Sequence, residues 1–186
     1  AQLIDALLAH AEAAGARPVV VDISADYRFA DLDAYARVYK HPHGAPRRAA
    51  EFTCAVPEHL AASPTPHVAH PGCFSTATLL AVVPLLKLGL IEPEVFVAAI
   101  TGSTGSGRTP TAGTHHPQRQ SDLYAYGALA HRHAPEIQAL ARAASGVDAH
   151  VAFVPHSGSF ARGIHATVQA RLATPMSGED VRAALA

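Results

Sequence analysis

A proline–glycine pair stands directly against a cysteine and an apolar stretch. Residues 70–78 read His-Pro-Gly-Cys-Phe-Ser-Thr-Ala-Thr and run straight into Leu79–Leu90. Pro71 and Gly72 force a turn, and Cys73 follows at the point where a helix can start. The apolar stretch contains Pro84, Lys87 and Gly89, so it is too short and too interrupted to span a bilayer. A helix start carries partial positive charge and unpaired backbone N–H groups. A cysteine placed there has a lowered pKa, and more of it is thiolate, the nucleophilic form. The competing reading of Cys73 is a small buried apolar residue.

The chain has 186 residues, enough for one domain or parts of two. With 49% hydrophobic and 16% charged residues, a packed core is expected. The formal net charge of −1 comes with no basic stripe for nucleic acid and no acidic block for a disordered tail. Cys54 and Cys73 make no disulfide framework and fit a reducing cytosol, so a cytoplasmic protein is expected. No basic n-region or cleavage site marks a signal peptide. Met176 is the sole methionine, and both ends fall inside helical patterns, so the sequence reads as a fragment of a longer protein.

Residues 1–15 form an amphipathic helix ended by Gly15, and Val19–Ile23 is a β-branched run typical of a buried strand. Helix, tight turn and strand make half of a parallel βαβ unit. Ser24-Ala25-Asp26-Tyr27-Arg28 follows at the strand's C-terminal end, the edge where open α/β sheets bind ligands. Residues 40–50 read as loop, Phe52–Val56 and Val68–Ala69 as short strands, and Pro57-Glu58 as a helical turn. Beyond the Cys73 helix, Val95–Ile100 reads as a second buried strand, and residues 109–121 as polar and irregular. His133-Ala134-Pro135-Glu136 opens a helix that ends near Gly146. Ala149–Pro155 is a strand, Gly163–Leu172 alternates like a strand with one wet face, and a last helix follows Ser177.

Several segments carry chemistry. The glycine loop Thr101–Arg108 lets backbone approach a ligand and can cradle an anion, although it is neither a Walker loop nor a Rossmann fingerprint; a plain flexible turn is the competing reading. His131 and His133 are acid–base candidates, set against surface roles in a chain of thirteen histidines. Arg28 is an anion binder or an ion-pair partner of Asp26, and Arg162 offers a second cation. Cys54 reads as core, Glu58 as a helix-start acid, and Tyr124 and Tyr126 as packing. The pairs His41/His43, His115/His116 and His131/His133 match no standard zinc spacing, so no metal is expected.

Six ordered motifs together resemble the N-acetyl-gamma-glutamyl-phosphate reductases of arginine biosynthesis and the related aminoadipyl-phosphate reductases of lysine biosynthesis. They are Asp22–Arg28, Val56-Pro57-Glu58, Pro71–Thr76, Thr101–Arg108, His131–Ile137 and Pro155–Thr167. Thr101, Thr104 and Ser75 depart from the family's usual residues, and Ser75 is expected to be tolerated in a first helical turn. The resemblance implies an α/β chain: the end of a Rossmann-type NADP-binding domain over 1–72, then an α+β catalytic and dimerisation domain over 73–186. The second domain is expected to have a mixed sheet of the glyceraldehyde-3-phosphate-dehydrogenase type. The family's N-terminal glycine-rich dinucleotide loop is expected upstream of Ala1.

By the same resemblance, Cys73 attacks an acyl phosphate, phosphate leaves, and NADPH reduces the thioester to an aldehyde. His131 is the acid–base residue, with His133 in reserve. Gly102, Ser103, Gly105, Ser106 and Gly107 line the NADP(H) site. Arg28 and Ser24 serve the phosphate, and Arg108 or Arg162 the substrate carboxylate. The implied partners are a small acyl phosphate, an amino-group carrier protein if the lysine-type reading holds, and a second copy in a dimer or tetramer. Neither nucleic acid nor membrane is expected. Thr114-His115-His116-Pro117-x-Arg119 and Pro155-His156-Ser157-Gly158 look as much like the lysine branch as the arginine one. A non-catalytic histidine-rich metal-binding or interaction module is the reading from another class, and an aspartate-semialdehyde dehydrogenase ranks third.

Overall fold

The computed structural model describes residues 1–186, which form two compact units, Ala1–Gly72 and Cys73–Ala186.

The first unit is built on a three-stranded parallel sheet. Its strands are β1 (Val21–Asp22), β2 (Phe52–Cys54) and β3 (His67–Ala69), in the order β1-β3-β2. Helix α1 (Gln2–Ala13) runs into Gly15, which takes the left-handed φ of +73° that ends the helix. Leu8 of α1 joins Tyr27, Phe52 and Ala69 in a buried cluster, with the Tyr27 and Phe52 rings stacked at 3.8 Å. Arg48 stands in a 3-10 turn at Pro46–Glu51 and ties that turn to α1. Its guanidinium donates to Asp5 at 3.0 Å, Glu12 at 2.6 Å and Glu51 at 3.1 Å. That turn replaces the plain loop expected over 40–50.

Two further differences from the sequence reading lie in this unit. Helix α2 (Leu32–Tyr39) starts where the Asp31 side chain accepts the N–H of Asp33, an N-cap the reading passed over. The strand expected over 19–23 is short and open rather than buried. Val19, Val21 and Ile23 are 73%, 62% and 79% exposed. β1 is an edge strand with one partner, and a β-branched run cannot report whether anything covers its faces.

The second unit holds a four-stranded mixed sheet. β4 (Ile91–Thr101) pairs in parallel with β6 (His150–Ser157) and antiparallel with β7 (Ile164–Leu172), and β5 (Tyr124–Ala125) pairs antiparallel with β6. Helix α3 (Cys73–Lys87) packs on α5 (His133–Ser145) and β7, and α5 packs on β6. Phe74, Leu79, Val82, Val83 and Leu86 give α3 its buried face. Val95, Val97, Val151 and Phe153 give the sheet its own. The opposite face is open: Phe96 is 55% exposed, flanked across the register by Gln169 and Ala152. Val95–Ile100 is therefore covered on one side only, because both packed helices lie on the same face. The expected irregular stretch 109–121 contains a 3-10 turn at Ala112–Thr114 and the single turn α4 (His116–Arg119). Helix α6 (Gly178–Leu185) begins with a reciprocal cap between Ser177 and Asp180. No helix is long and apolar enough to cross a membrane.

Candidate active site

Cys73 is the first residue of α3 and is exposed, while Phe74 beside it is 2% exposed. The Phe74 ring meets Phe153 of β6 edge-on at 5.2 Å and lies 6.0 Å from the imidazoles of both His131 and His133. This aromatic contact pins the helix start against the sheet and brings the histidine pair to the thiol's neighbour. The two histidines arrive by a tight turn. Tyr126 N–H donates to the Pro155 carbonyl, Leu129 N–H to Phe153, and Ala130 N–H to Gly127. Gly127 and Leu129 both take positive φ, +54° and +57°. A leucine there is unfavourable, so the turn is held by its ladder bonds to β6.

His131 is half-buried, and His133 is 5% exposed. Their rings stand 4.7 Å apart, and the backbone N–H of His133 donates to Nδ1 of His131 at 3.2 Å. Burial, followed by the Arg132 guanidinium, holds the His131 pKa below its ordinary value, so the neutral ring is favoured. Tyr126 packs edge-on against His131 at 5.5 Å. Burial raises its phenol pKa, and negative charge on Cys73 raises it further, so the phenol lies within electrostatic reach of the thiol. The sequence reading left Tyr126 as packing. Its place just before the Gly127 turn into His131 was the available signal.

The glycine loop is braced rather than open. Gly102 N–H donates to Gly163, Ser103 N–H to Phe160, Thr104 N–H to Ala161, Gly105 N–H to Gly102 and Gly107 N–H to Thr104. The hydroxyls of Ser103 and Thr104 also donate to Phe160 and Ala161. The backbone the loop approaches closely is that of residues 160–163. The far end of the loop is open. Ser106 is exposed, and Gly107, at φ +83°, faces open space, where an added side-chain carbon would meet nothing within 4 Å. Gly102, Ser103 and Gly105 act as the brace behind them.

Four further expected residues are Arg108, Arg162, Ser24 and Arg28. Arg108 and Arg162 are exposed at the two ends of the braced loops. Ser24 and Arg28 belong to the first unit. Ser24 donates from its hydroxyl to Asp22 at 2.9 Å, and Arg28 Nε donates to the His70 carbonyl at 3.1 Å. Arg119, 7% exposed, was noted only as part of a motif. Its guanidinium donates to the carbonyls of Ser157 and Gly158 and lies over the Tyr124 ring. The His-Pro and Pro-His-Ser-Gly motifs are thereby one structural unit. No three histidine, cysteine or carboxylate side chains gather closely enough to hold a metal ion.

Residues 73–186, which hold the thiol at the start of α3, the imidazole pair packed on Phe74 and the mixed sheet, match the family described as semialdehyde dehydrogenase, dimerisation domain. The chain belongs to that family. N-acetyl-gamma-glutamyl-phosphate reductase from Dehalococcoides mccartyi is 41% identical over 168 residues, 88% of this chain and 49% of the relative. The enzyme of that name from Pseudomonas aeruginosa is 40% identical over 157 residues, 83% and 46% of the two chains. The chain thus spans about half the length of the curated relatives it matches. The resemblance drawn from the six motifs is borne out. Aspartate semialdehyde dehydrogenase II from Vibrio cholerae shares the fold with a TM-score of 0.65 at 15% identity, over 98% of this chain and 56% of that one. A probable aspartate-semialdehyde dehydrogenase from Pseudomonas aeruginosa gives 0.59 at 20% identity, over 97% and 57%. The expected fold class is borne out with them.

Proposed function

We propose that this chain carries the acyl-transfer centre of an N-acetyl-gamma-glutamyl-phosphate reductase, a cytoplasmic NADPH-dependent enzyme of arginine biosynthesis. It would convert an acyl phosphate to the semialdehyde and release phosphate. The observation that carries this reading is the gathering of His131 and His133 behind the Phe74 ring, next to an exposed thiol at the start of a 15-residue helix. Residues 1–72 are then the end of the NADP-binding domain and residues 73–186 the catalytic domain.

Cys73, the first residue of α3, reacts as its thiolate, the nucleophilic form of a cysteine. The thiolate attacks the acyl carbon, and phosphate departs with its bonding pair, leaving a thioester. When bound, a reduced nicotinamide dinucleotide supplies the hydride that takes a thioester to the aldehyde level. Ser106 and Gly107 are the residues of this unit that would hold it. Cys73 leaves as thiolate when the tetrahedral adduct collapses. His131, the more exposed imidazole of the pair, serves the reacting oxygen, and His133 buttresses it. Arg108 and Arg162 are the cations available to the substrate carboxylate.

A second copy is the proposed partner of the open sheet face. Phe96 stands there between Glu92, Glu94, Gln169 and Arg171, so a face turned on itself can set carboxylates against a guanidinium around an apolar centre.

The lysine-type reading, an aminoadipyl-phosphate reductase acting on a carrier-linked substrate, draws support from one observation. Arg119 joins the two segments that look like that branch. Assaying the protein with both acyl phosphates separates the readings. With either substrate, Cys73→Ser abolishes reduction, and appreciable turnover by that variant would remove Cys73 from the nucleophile role.

A further inference from the structure

The peptides on both sides of Arg162 are held by one neighbouring loop. The Ala161 carbonyl accepts two hydrogen bonds from Thr104, one from its N–H at 3.1 Å and one from its hydroxyl at 2.7 Å. The Gly163 carbonyl, on the other side, accepts the Gly102 N–H at 3.0 Å. The Phe160 carbonyl takes the N–H and the hydroxyl of Ser103 at 2.8 and 3.1 Å. Arg162 itself is exposed, and neither a hydrogen bond nor an ion pair within the chain engages its guanidinium. Arg108 is exposed as well, but its backbone differs. No backbone hydrogen bond holds residues 108–110, and Gly107 before it takes the left-handed φ of +83°.

Resting on the acyl-phosphate reading above, we propose that Thr104 is a positioning residue, and that Arg162, whose backbone it fixes, is the cation that receives the substrate carboxylate. A guanidinium grips a carboxylate through two parallel N–H donors, so its side chain needs a fixed origin. A mobile arginine gives up backbone and rotamer freedom on binding. At Arg162 the backbone share is removed before a ligand arrives, and at Arg108 it is not. The Thr104 hydroxyl makes the shortest bond of the brace and shares its acceptor with the Thr104 N–H. Two bonds from one residue fix the direction of the Ala161 carbonyl as well as its distance. Threonine is stiff at χ1, which keeps the hydroxyl on that carbonyl. The brace thus engages the backbone of residues 160–163 and leaves the one charged side chain among them free for an anion.

The test has two parts, both on the whole protein. The first needs no turnover. Phenylglyoxal, which modifies guanidinium groups, is applied with and without N-acetylnorvaline, an acetylated amino acid whose single carboxylate sits at the α-carbon. Peptide mass spectrometry should show Arg162 protected in the natural protein and in Thr104→Ser, with Arg108 still reactive. Thr104→Val should raise the half-protecting concentration about 3- to 10-fold, the range for one lost hydrogen bond. An Arg162 that stays reactive, or a half-protecting concentration unchanged in Thr104→Val, overturns the proposal.

The second part follows reduction of the acyl phosphate. Thr104→Val should raise KM about 3- to 10-fold with kcat within about twofold, and Thr104→Ser should restore KM. With an acyl phosphate that lacks the α-carboxylate, Thr104→Val and the natural protein should share one KM. Arg162→Met should raise KM for the carboxylate substrate about 10- to 100-fold, and Thr104→Val should add nothing in that background. A Thr104→Val loss that falls on kcat, or equally on both substrates, marks a merely structural brace and contradicts the proposal. A natural protein that reduces neither acyl phosphate contradicts the acyl-phosphate reading, and the phenylglyoxal protection still decides the place of Arg162 and Thr104.

Discussion

Gly102 lies so close to Ala161 that a side-chain carbon on it would stand 2.6 Å from the Ala161 carbonyl oxygen and 2.7 Å from the Arg162 nitrogen. Both obstacles are backbone, and the neighbouring loops are already locked by hydrogen bonds from residues 102–104 to 160–163. Gly102→Ala should therefore destabilise the protein by roughly 1–3 kcal/mol, the usual cost of overpacking. Gly178 has open space and an ordinary φ at the start of α6. Gly178→Ala should stabilise by about 0.5 kcal/mol. Urea midpoints of the two variants give opposite signs if the loop contact is as tight as stated.

Acid should weaken the fold in two stages. Burial lowers the pKa of both His131 and His43 from 6.5, so below that value the unfolded chain binds protons that the folded chain resists. The stability these rings contribute is complete above pH 6.5 and is lost as pH falls through their depressed folded values. The Arg47 and Arg48 hydrogen bonds lower Asp5 from 3.8, and Arg48 lowers Glu12 from 4.5. Their contribution is present above those values and disappears as pH falls through the depressed ones. Thermal melts across this range should show His131→Gln flattening the upper stage and Arg48→Met the lower.

His131→Asn should cost far more activity than His133→Asn. The first removes the accessible imidazole, while the second changes a ring that is 5% exposed and leaves the capping backbone N–H in place. Steady-state rates of the two variants decide this, and the reverse order would move the role at the reacting oxygen to His133.

With the open sheet face proposed to pair with a second copy, Phe96→Glu should dissociate the assembly. It replaces the apolar ring at the centre of the patch with a third carboxylate beside Glu92 and Glu94. Sedimentation at micromolar concentration should read a dimer or larger for the natural chain and a monomer for the variant. An unchanged mass would move the interface elsewhere.

Local signals carried much of the fold. Pro71-Gly72 marks the start of α3 to the residue, and His133-Ala134-Pro135 and Gly146 bracket α5. The alternation over 164–172 describes β7: Ile164, Ala166 and Val168 are half-buried between wet neighbours, and the strand is exposed from Gln169 on. The N-cap at Asp31 was equally local, and with Leu32, Tyr35 and Tyr39 it was enough to find α2. Coverage was not legible. Val21 and Phe96 sit in apolar runs that read as buried, and only the arrangement of neighbouring elements decides that they are open. Long-range partners were hidden for the same reason. Nothing local to Arg119 points to the carbonyls of Ser157 and Gly158. The glycine loop shows the converse. Its composition promised free N–H groups, and the fold turns those of residues 102–104 onto residues 160–163.

The most direct test of the account is to mix the protein with the acyl phosphate in the absence of reductant and map the adduct by peptide mass spectrometry. The account predicts one acyl group on the peptide containing Cys73, none on the peptide containing Cys54, and one phosphate released per adduct. An adduct elsewhere, or phosphate release with Cys73 unmodified and still alkylatable, would contradict it.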